Sequence, residues 1–268
     1  MMTEPAPQAA IDAARAYEAL FVPALFTQWA PALIGAANVQ PGQRVLDVAC
    51  GTGVLARALA SHVGTGGHVA GLDPGAGMIA VASQLDSSVE WKQGVAESLP
   101  FSDRSFDAVV SQFGFMFFTD RRAAVREMLR VLVPGGHLAV AVWDSLESMP
   151  AYAAEVALLE RTAGQPAADA LRAPFVLGDR RDLSAVFADA GAASIDVTTH
   201  GGVAVFPSIR TMVEADLRGW LPLMGVNLNE GEIGDILRQA EDALRPYATA
   251  DGRATFNLSA HIVTANKP

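Results

Sequence analysis

The stretch Val45-Leu46-Asp47-Val48-Ala49-Cys50-Gly51-Thr52-Gly53, followed by a helical run over 54–62, decides how this chain is read. An apolar run, a glycine turn and a helix, in that order, predict strand, loop and helix. Glycines let the backbone turn sharply and come close to a ligand. The helix that follows aims its positive end at the loop. Working outward, the alternation continues: strands over 68–72, 89–95, 106–111 and 137–143, with helices over 78–85 and 122–133 between them. That rhythm predicts an α/β chain with a doubly wound parallel sheet.

On either side of this block the rhythm changes. Upstream, 9–20 and 23–37 read as two apolar helices before the turn Gln40-Pro41-Gly42. Downstream, 144–178 is mostly helical, 180–190 is a helix, 194–206 alternates like a strand, 208–247 is helical, and 255–264 closes as a strand. The expected organisation is an N-terminal helical cover over 1–40, a ligand-binding half over 41–143, and a remainder over 144–268. Helical insertions over 144–178 and 207–250 would complete the cover.

Composition narrows the classes of function. The 268 residues are 51% hydrophobic and 18% charged, which excludes a disordered chain. A net charge of -10 repels a phosphate backbone, so no nucleic-acid partner is expected. Arg122, Arg126 and Arg130 recur every fourth residue opposite Val125, Met128, Leu129 and Leu132, as on the solvated face of an amphipathic helix. A single cysteine, Cys50, and an N-terminus without a signal-peptide pattern fit a cytoplasmic protein. The uncharged stretch 19–43 is broken by Pro23, Pro31 and Pro41, so no membrane span is expected. The histidines, His62, His68, His137, His200 and His261, are dispersed and predict no metal site.

The ligand follows from one acid. Gly51, Gly53 and Ala56 satisfy a loose dinucleotide fingerprint, with Asp73 twenty residues past Gly53. Asp47, at the end of the first strand, opposes that reading. A carboxylate there repels a pyrophosphate and favours a ligand carrying an ammonium or sulfonium group. The Lys and Ser or Thr of an ATP-binding loop are also missing.

At this point the chain resembles the class I S-adenosylmethionine-dependent methyltransferases, broadly the superfamily that includes the quinone-biosynthesis methyltransferases. The motif 45–53 is followed in order by Gly71-Leu72-Asp73-Pro74, Gly94-Val95-Ala96-Glu97-Ser98-Leu99-Pro100-Phe101, Ser105-Phe106-Asp107-Ala108-Val109-Val110 and a segment over 128–138 ending a helix at Pro134-Gly135-Gly136. The resemblance implies a Rossmann-like seven-stranded sheet with a reversed last strand. It also implies S-adenosyl-L-methionine as cofactor, with S-adenosyl-L-homocysteine as product. Asp47 with the backbone of Ala49, Cys50, Gly51 and Gly53 would hold the methionine part. Asp73, beside Pro74, would accept the ribose hydroxyls. Met78 would cover the adenine face and Ala96 and Glu97 its edge, while Gln112 and Phe113 would lie near the reacting methyl.

Two departures are visible. Val95 stands where relatives place an adenine-binding Asp. The run Phe113-Gly114-Phe115-Met116-Phe117-Phe118 replaces the polar pair that the quinone-modifying branch carries after its fourth strand. Tyr17, Phe115, Trp143, Trp220 and Tyr247 are the expected acceptor-lining residues. His200, Tyr17, Tyr247 and Asp216 are the possible bases. Taken with the resemblance, this apolar lining predicts that an apolar or aromatic small molecule is methylated, at oxygen, carbon or nitrogen, and the expected assembly is a monomer or homodimer. The competing readings are a cofactor-binding sensor that transfers no methyl and, from the loose fingerprint, an NAD-dependent oxidoreductase.

Overall fold

The computed structural model describes residues 6–268. The parallel half assembles as its sequence predicts. Strands β1 (Arg44–Val48), β2 (His68–Asp73), β3 (Glu90–Gln93) and β4 (Phe106–Gln112) run parallel with β5 (Leu132–Trp143). Their crossovers carry helices α3 (Val54–Val63), α4 (Ala76–Leu85) and α5 (Arg121–Val131). Val45, Leu46, Val48, Val109 and Val110 are fully buried, as strands covered on both faces require.

The later chain adds β6 (Ala193–Phe206) and β7 (Ala254–Asn266). β7 inserts antiparallel between β5 and β6, giving the order β3-β2-β1-β4-β5-β7-β6. The expected seven-stranded sheet with its last strand reversed is therefore what the structure contains. Helices α6 (Pro150–Ala163), α7 (Gln165–Arg172) and α8 (Arg180–Asp189) connect β5 to β6. Helices α9 (Ile209–Ala215), α10 (Leu221–Leu223) and α11 (Glu230–Ala243) connect β6 to β7. One hydrophobic cluster runs from Ala24 to Ala265, so the sheet and the helices around it share a core.

The N-terminal segment differs from the two expected helices. Helix α1 (Gln8–Phe21) passes into a π turn, Val22–Phe26, a 3-10 turn, Thr27–Trp29, and helix α2 (Ala30–Ala36). Pro23 and Pro31 lack amide hydrogens and sit at the first turns of their segments, so the chain changes winding there. The run Gln8–Ala36 is long and apolar enough to cross a membrane by composition, yet Trp29 and Leu33 pack into the core of this fold. Its Gln28 amide also pairs with the edge of the sheet, accepting from Val203 N (2.8 Å) and donating to Val203 O (2.9 Å). That side chain continues the ladder beyond β6 and blunts an open edge.

The arginine face needs correcting. Arg122 and Arg126 are exposed, but Arg130 donates to Leu99 O, Phe101 O, Asp103 and Glu127, bracing the loop after β3. Its stem lies at the margin of the apolar stripe, where a long side chain can reach back to uncapped carbonyls.

Candidate functional site

The sheet reverses its winding between β1 and β4, and ligands of doubly wound sheets bind outside the strand ends at that point. Two strained backbone positions flank that point. Ala49, after β1, and Phe113, after β4, are both left-handed (φ 58° and 56°), a conformation that costs a residue with a side chain about 1–2 kcal/mol. The two turns face each other across Gly114, where a Cβ would stand 2.4 Å from Ala49 Cβ. Gly51 and Gly53 continue the left-handed path at φ 57° and 87° into the N-terminus of α3.

Beneath this loop lies Asp47. It is 1% exposed, and neither carboxylate oxygen has a hydrogen-bond partner. Burial pushes the carboxyl well above its usual range, outweighing the Ala56 amide that faces it, and the Asp73 charge adds to the rise. A bare buried carboxylate is costly, so an acid held in this setting has unmet affinity for a cation or a donor. Asp73, at the end of β2, is better provided: Oδ2 accepts from Gly51 N (2.9 Å) and Oδ1 from Gly75 N (2.8 Å). Each oxygen keeps a second lone pair for a hydroxyl donor. Asp73 is raised too, burial outweighing the two amides. The Cys50 thiol is pushed well up by burial and then by Asp47 and Asp73, the opposite of an activated nucleophile.

The roof is α1. Tyr17 lies over Gly51, with its ring and hydroxyl 3.7 Å from where a Cβ would stand, and stacks on Phe26 at 5.6 Å. Burial and the Asp73 charge hold its phenol far above the ordinary range, which disfavours the phenolate. The neighbouring Glu18 fastens the roof to the floor: Thr52 Oγ1 donates to Oε2 (2.5 Å) and Arg57 Nη2 to Oε1 (2.8 Å). Arg57 Nη1 closes the ring on Thr52 O (2.6 Å).

Past β4 the aromatic wall is continuous. Phe113 stacks on Trp143 at 3.8 Å, and Phe26 and Trp29 pack around both. Gln112 donates to Phe26 O (3.2 Å) while its Oε1 is buried without a partner.

Other expected residues separate. Pro74 is exposed and Met78 half-buried on the first turn of α4. Ala96 is buried, but Glu97 accepts from Thr119 N (2.8 Å) and Asp120 N (3.2 Å), tying the loop after β4 rather than standing free. Val95 is 47% exposed. Phe115, expected to line the acceptor site, is fully buried against Phe118 and Phe187. The 3-10 turn Phe115–Phe117 rotates it toward α8, away from Phe113. Trp220 donates to Ala170 O (2.8 Å) and packs on Phe117, while Tyr247 packs on Phe256. His200 bonds Thr198 (2.9 Å) on the edge strand β6, level with Ala260 and so with Trp143, but β4, β5 and β7 lie between it and β1. It does not join the glycine loop.

Three features escaped the sequence. The Glu18, Thr52 and Arg57 ring joins positions far apart in the chain, with no local pattern. Trp91, half-buried on β3, packs so closely on the loop that a Cβ at Gly53 would stand 2.2 Å from its ring. The third is a buried acid, Glu155, on α6 beside Asp216. Its signal was present, since Tyr152, Glu155, Val156 and Leu159 share one helical face and a carboxylate rarely sits in such a stripe.

Residues 46–140 match the family model described as a methyltransferase domain. The chain is 44% identical over 118 residues to a ubiquinone/menaquinone biosynthesis C-methyltransferase of Xanthomonas oryzae, covering 42% of this chain and 47% of that protein. It is 40% identical over 127 residues to a demethylmenaquinone methyltransferase of Staphylococcus epidermidis, covering 46% and 52%. The chain thus spans about half the length of the curated relatives it matches. In fold it is similar to the YcgJ protein of Bacillus subtilis, with a TM-score of 0.58 and 21% identity over 90% of this chain and 98% of the other.

Proposed function

We propose that this chain, whose residues 46–140 form a methyltransferase domain of the class I S-adenosylmethionine-dependent type, methylates an apolar or aromatic small molecule. One observation carries the reading: Asp47, buried without a partner under a glycine loop at the sheet's switch point. A dinucleotide would bring phosphate charge toward that acid. S-adenosylmethionine brings an ammonium and a sulfonium, and the orphaned oxygens suit them.

When bound, the cofactor supplies an electrophilic methyl group on sulfur. Asp47 and the backbone of Ala49 to Gly53 would hold its amino-acid end, and Asp73 the ribose hydroxyls. Met78 and Ala96 would flank the adenine, with Glu97 reached only by exchanging one of its loop contacts. Phe113 and Trp143 would wall the methyl end, and Tyr17 would close over the top when Glu18 engages Thr52 and Arg57. Such a closed apolar chamber aligns the acceptor and excludes water, effects that together supply up to about 7–11 kcal/mol of a barrier. The helical insertions over 144–178 and 207–250 would form the acceptor cover. The apolar lining, and the quinone-type acceptors in the names of the matched relatives, support an apolar acceptor. One buried, unpaired cysteine suits a reducing, cytoplasmic setting.

The test is thermal unfolding with saturating S-adenosylmethionine, S-adenosylhomocysteine and NAD in parallel. Both sulfur ligands are expected to raise Tm by several degrees, since a site filled at one hundred times Kd adds about 2.7 kcal/mol. A rise with NAD alone would overturn the reading.

A further inference from the structure

Glu155, on α6, and Asp216, which opens a π turn Asp216–Trp220 after α9, are buried together in the cover. Glu155 is fully buried and Asp216 is 3% exposed. Both oxygens of Glu155 and Oδ2 of Asp216 have no donor from any other residue, and the two carboxyls stand close enough to share a proton with each other. No cation balances them: neither residue enters an ion pair among the described residues. Burial drives both carboxyls upward, and the Asp216 charge adds to the rise at Glu155, so the pair favours holding a proton. Two acids buried together with only a proton of their own between them cost stability. A fold that needed only packing here would do better with leucine.

The surroundings are aromatic and lead to the candidate site. Tyr152, one turn before Glu155, packs on Phe175 (5.4 Å) and Phe256 (5.6 Å), and Phe256 faces Phe206 (6.4 Å). Phe206 touches Phe21, which neighbours Tyr17 over the glycine loop. The π turn reaches the same place from the other side, with Gly219 against Phe21 and Trp220 against Phe117. Single π turns in helices are rare and gather at functional sites.

Unmet carboxylate oxygens beside aromatic rings suit an ammonium group, whose protons satisfy the acids and whose charge favours the ring faces. They do not suit calcium or magnesium, which need six or more oxygen ligands. We infer that Glu155 and Asp216 are a recognition site for the ammonium of an amine-bearing aromatic acceptor. This rests on the methyl-transfer reading above and narrows its acceptor class. On binding, the ammonium takes the place of a shared proton, which leaves to solvent.

The experiment uses full-length protein saturated with S-adenosylhomocysteine and matched probes: 2-phenylethylamine against 2-phenylethanol, and tryptamine against tryptophol. Binding is measured by calorimetry in two buffers of different ionisation enthalpy. Each amine is expected to bind about ten- to one hundredfold tighter than its alcohol, with net proton release. The double variant Glu155→Gln with Asp216→Asn is expected to erase both the preference and the proton release. It should keep the Tm rise with S-adenosylhomocysteine, which shows that it folds. Asp216→Asn alone, as a second variant, should reduce the preference. Equal binding of amine and alcohol, absence of amine binding, or a preference that survives the double variant would overturn the inference. Failure of S-adenosylhomocysteine itself to bind would instead overturn the methyl-transfer reading.

Discussion

Asp47 and the pair Glu155 with Asp216 are alike in physics and unlike in setting. All are carboxyls buried in apolar surroundings with oxygens that nothing satisfies. Asp47 stands on a central strand of the parallel sheet, framed by a glycine loop whose strained backbone fixes it in place. The pair stands between helices of the later chain, where α7 and α11, both packed on α6, carry the π turn and α9 toward it. The first acid is held by a scaffold that a short segment dictates. The second depends on long-range assembly, so it can vary in identity without disturbing the sheet. In the proposed reading, one region takes a common cofactor and the other a particular acceptor.

The largest effect should come from breaking the scaffold itself. In Gly53→Ala the new Cβ meets Trp91 at 2.2 Å on a left-handed backbone. The expected loss is about 3 kcal/mol, from overpacking of about 1–3 kcal/mol and backbone strain of about 1–2 kcal/mol, read by urea unfolding. Retention of full stability would mean that Trp91 swings aside freely.

Asp47→Asn separates binding from folding. S-adenosylhomocysteine affinity should drop about ten- to one hundredfold by calorimetry, because a charge-assisted contact is lost. The ligand-free protein should unfold at the same or a higher temperature, because an uncompensated acid is gone. A parallel fall in both would make Asp47 structural.

The pH dependence sharpens the comparison. Asp47, Glu155 and Asp216 have folded values above their unfolded ones, so the fold favours their protonated forms. Their contribution is complete below about pH 4 and is lost as pH rises, for Asp216 up to about 8. Each can cost up to about 1.4 kcal/mol per pH unit in that window. Denaturant unfolding from pH 5 to 8.5 should show this decline. Glu155→Gln with Asp216→Asn should flatten its upper part, and saturating S-adenosylhomocysteine should flatten the part due to Asp47. A flat profile in the unmodified protein would remove the basis for both.

The smallest effect concerns the roof. Glu18→Gln weakens the ring with Thr52 and Arg57 and should cost about 1 kcal/mol. Because the ring closes the roof, release of S-adenosylhomocysteine in stopped flow should quicken several-fold. An unchanged release rate would show that α1 does not gate the site.

How far these features could be read in the chain follows the distance over which they are built. The loop 49–53, the acid before it and Asp73 are positioned by neighbours in sequence, and their order along the chain carried the sheet and the expectation of its ligand. The aromatic run after β4 was legible as a run but not as a surface. A 3-10 turn sent Phe115 into the core and left Phe113 on Trp143. Arg130 looked like solvent-facing charge because helical periodicity does not register the carbonyls of a distant loop.

By itself the sequence determined the α/β alternation, the glycine loop and Asp47, because strand and helix periods and left-handed glycine turns are local constraints. The tertiary structure alone decided that Glu18 would fasten α1 to Thr52 and Arg57, and that Gln28 would cover the sheet edge. It also decided that Glu155 would meet Asp216. Each of these joins segments that share no local pattern, and only burial in a common core brings them into hydrogen-bonding or electrostatic range.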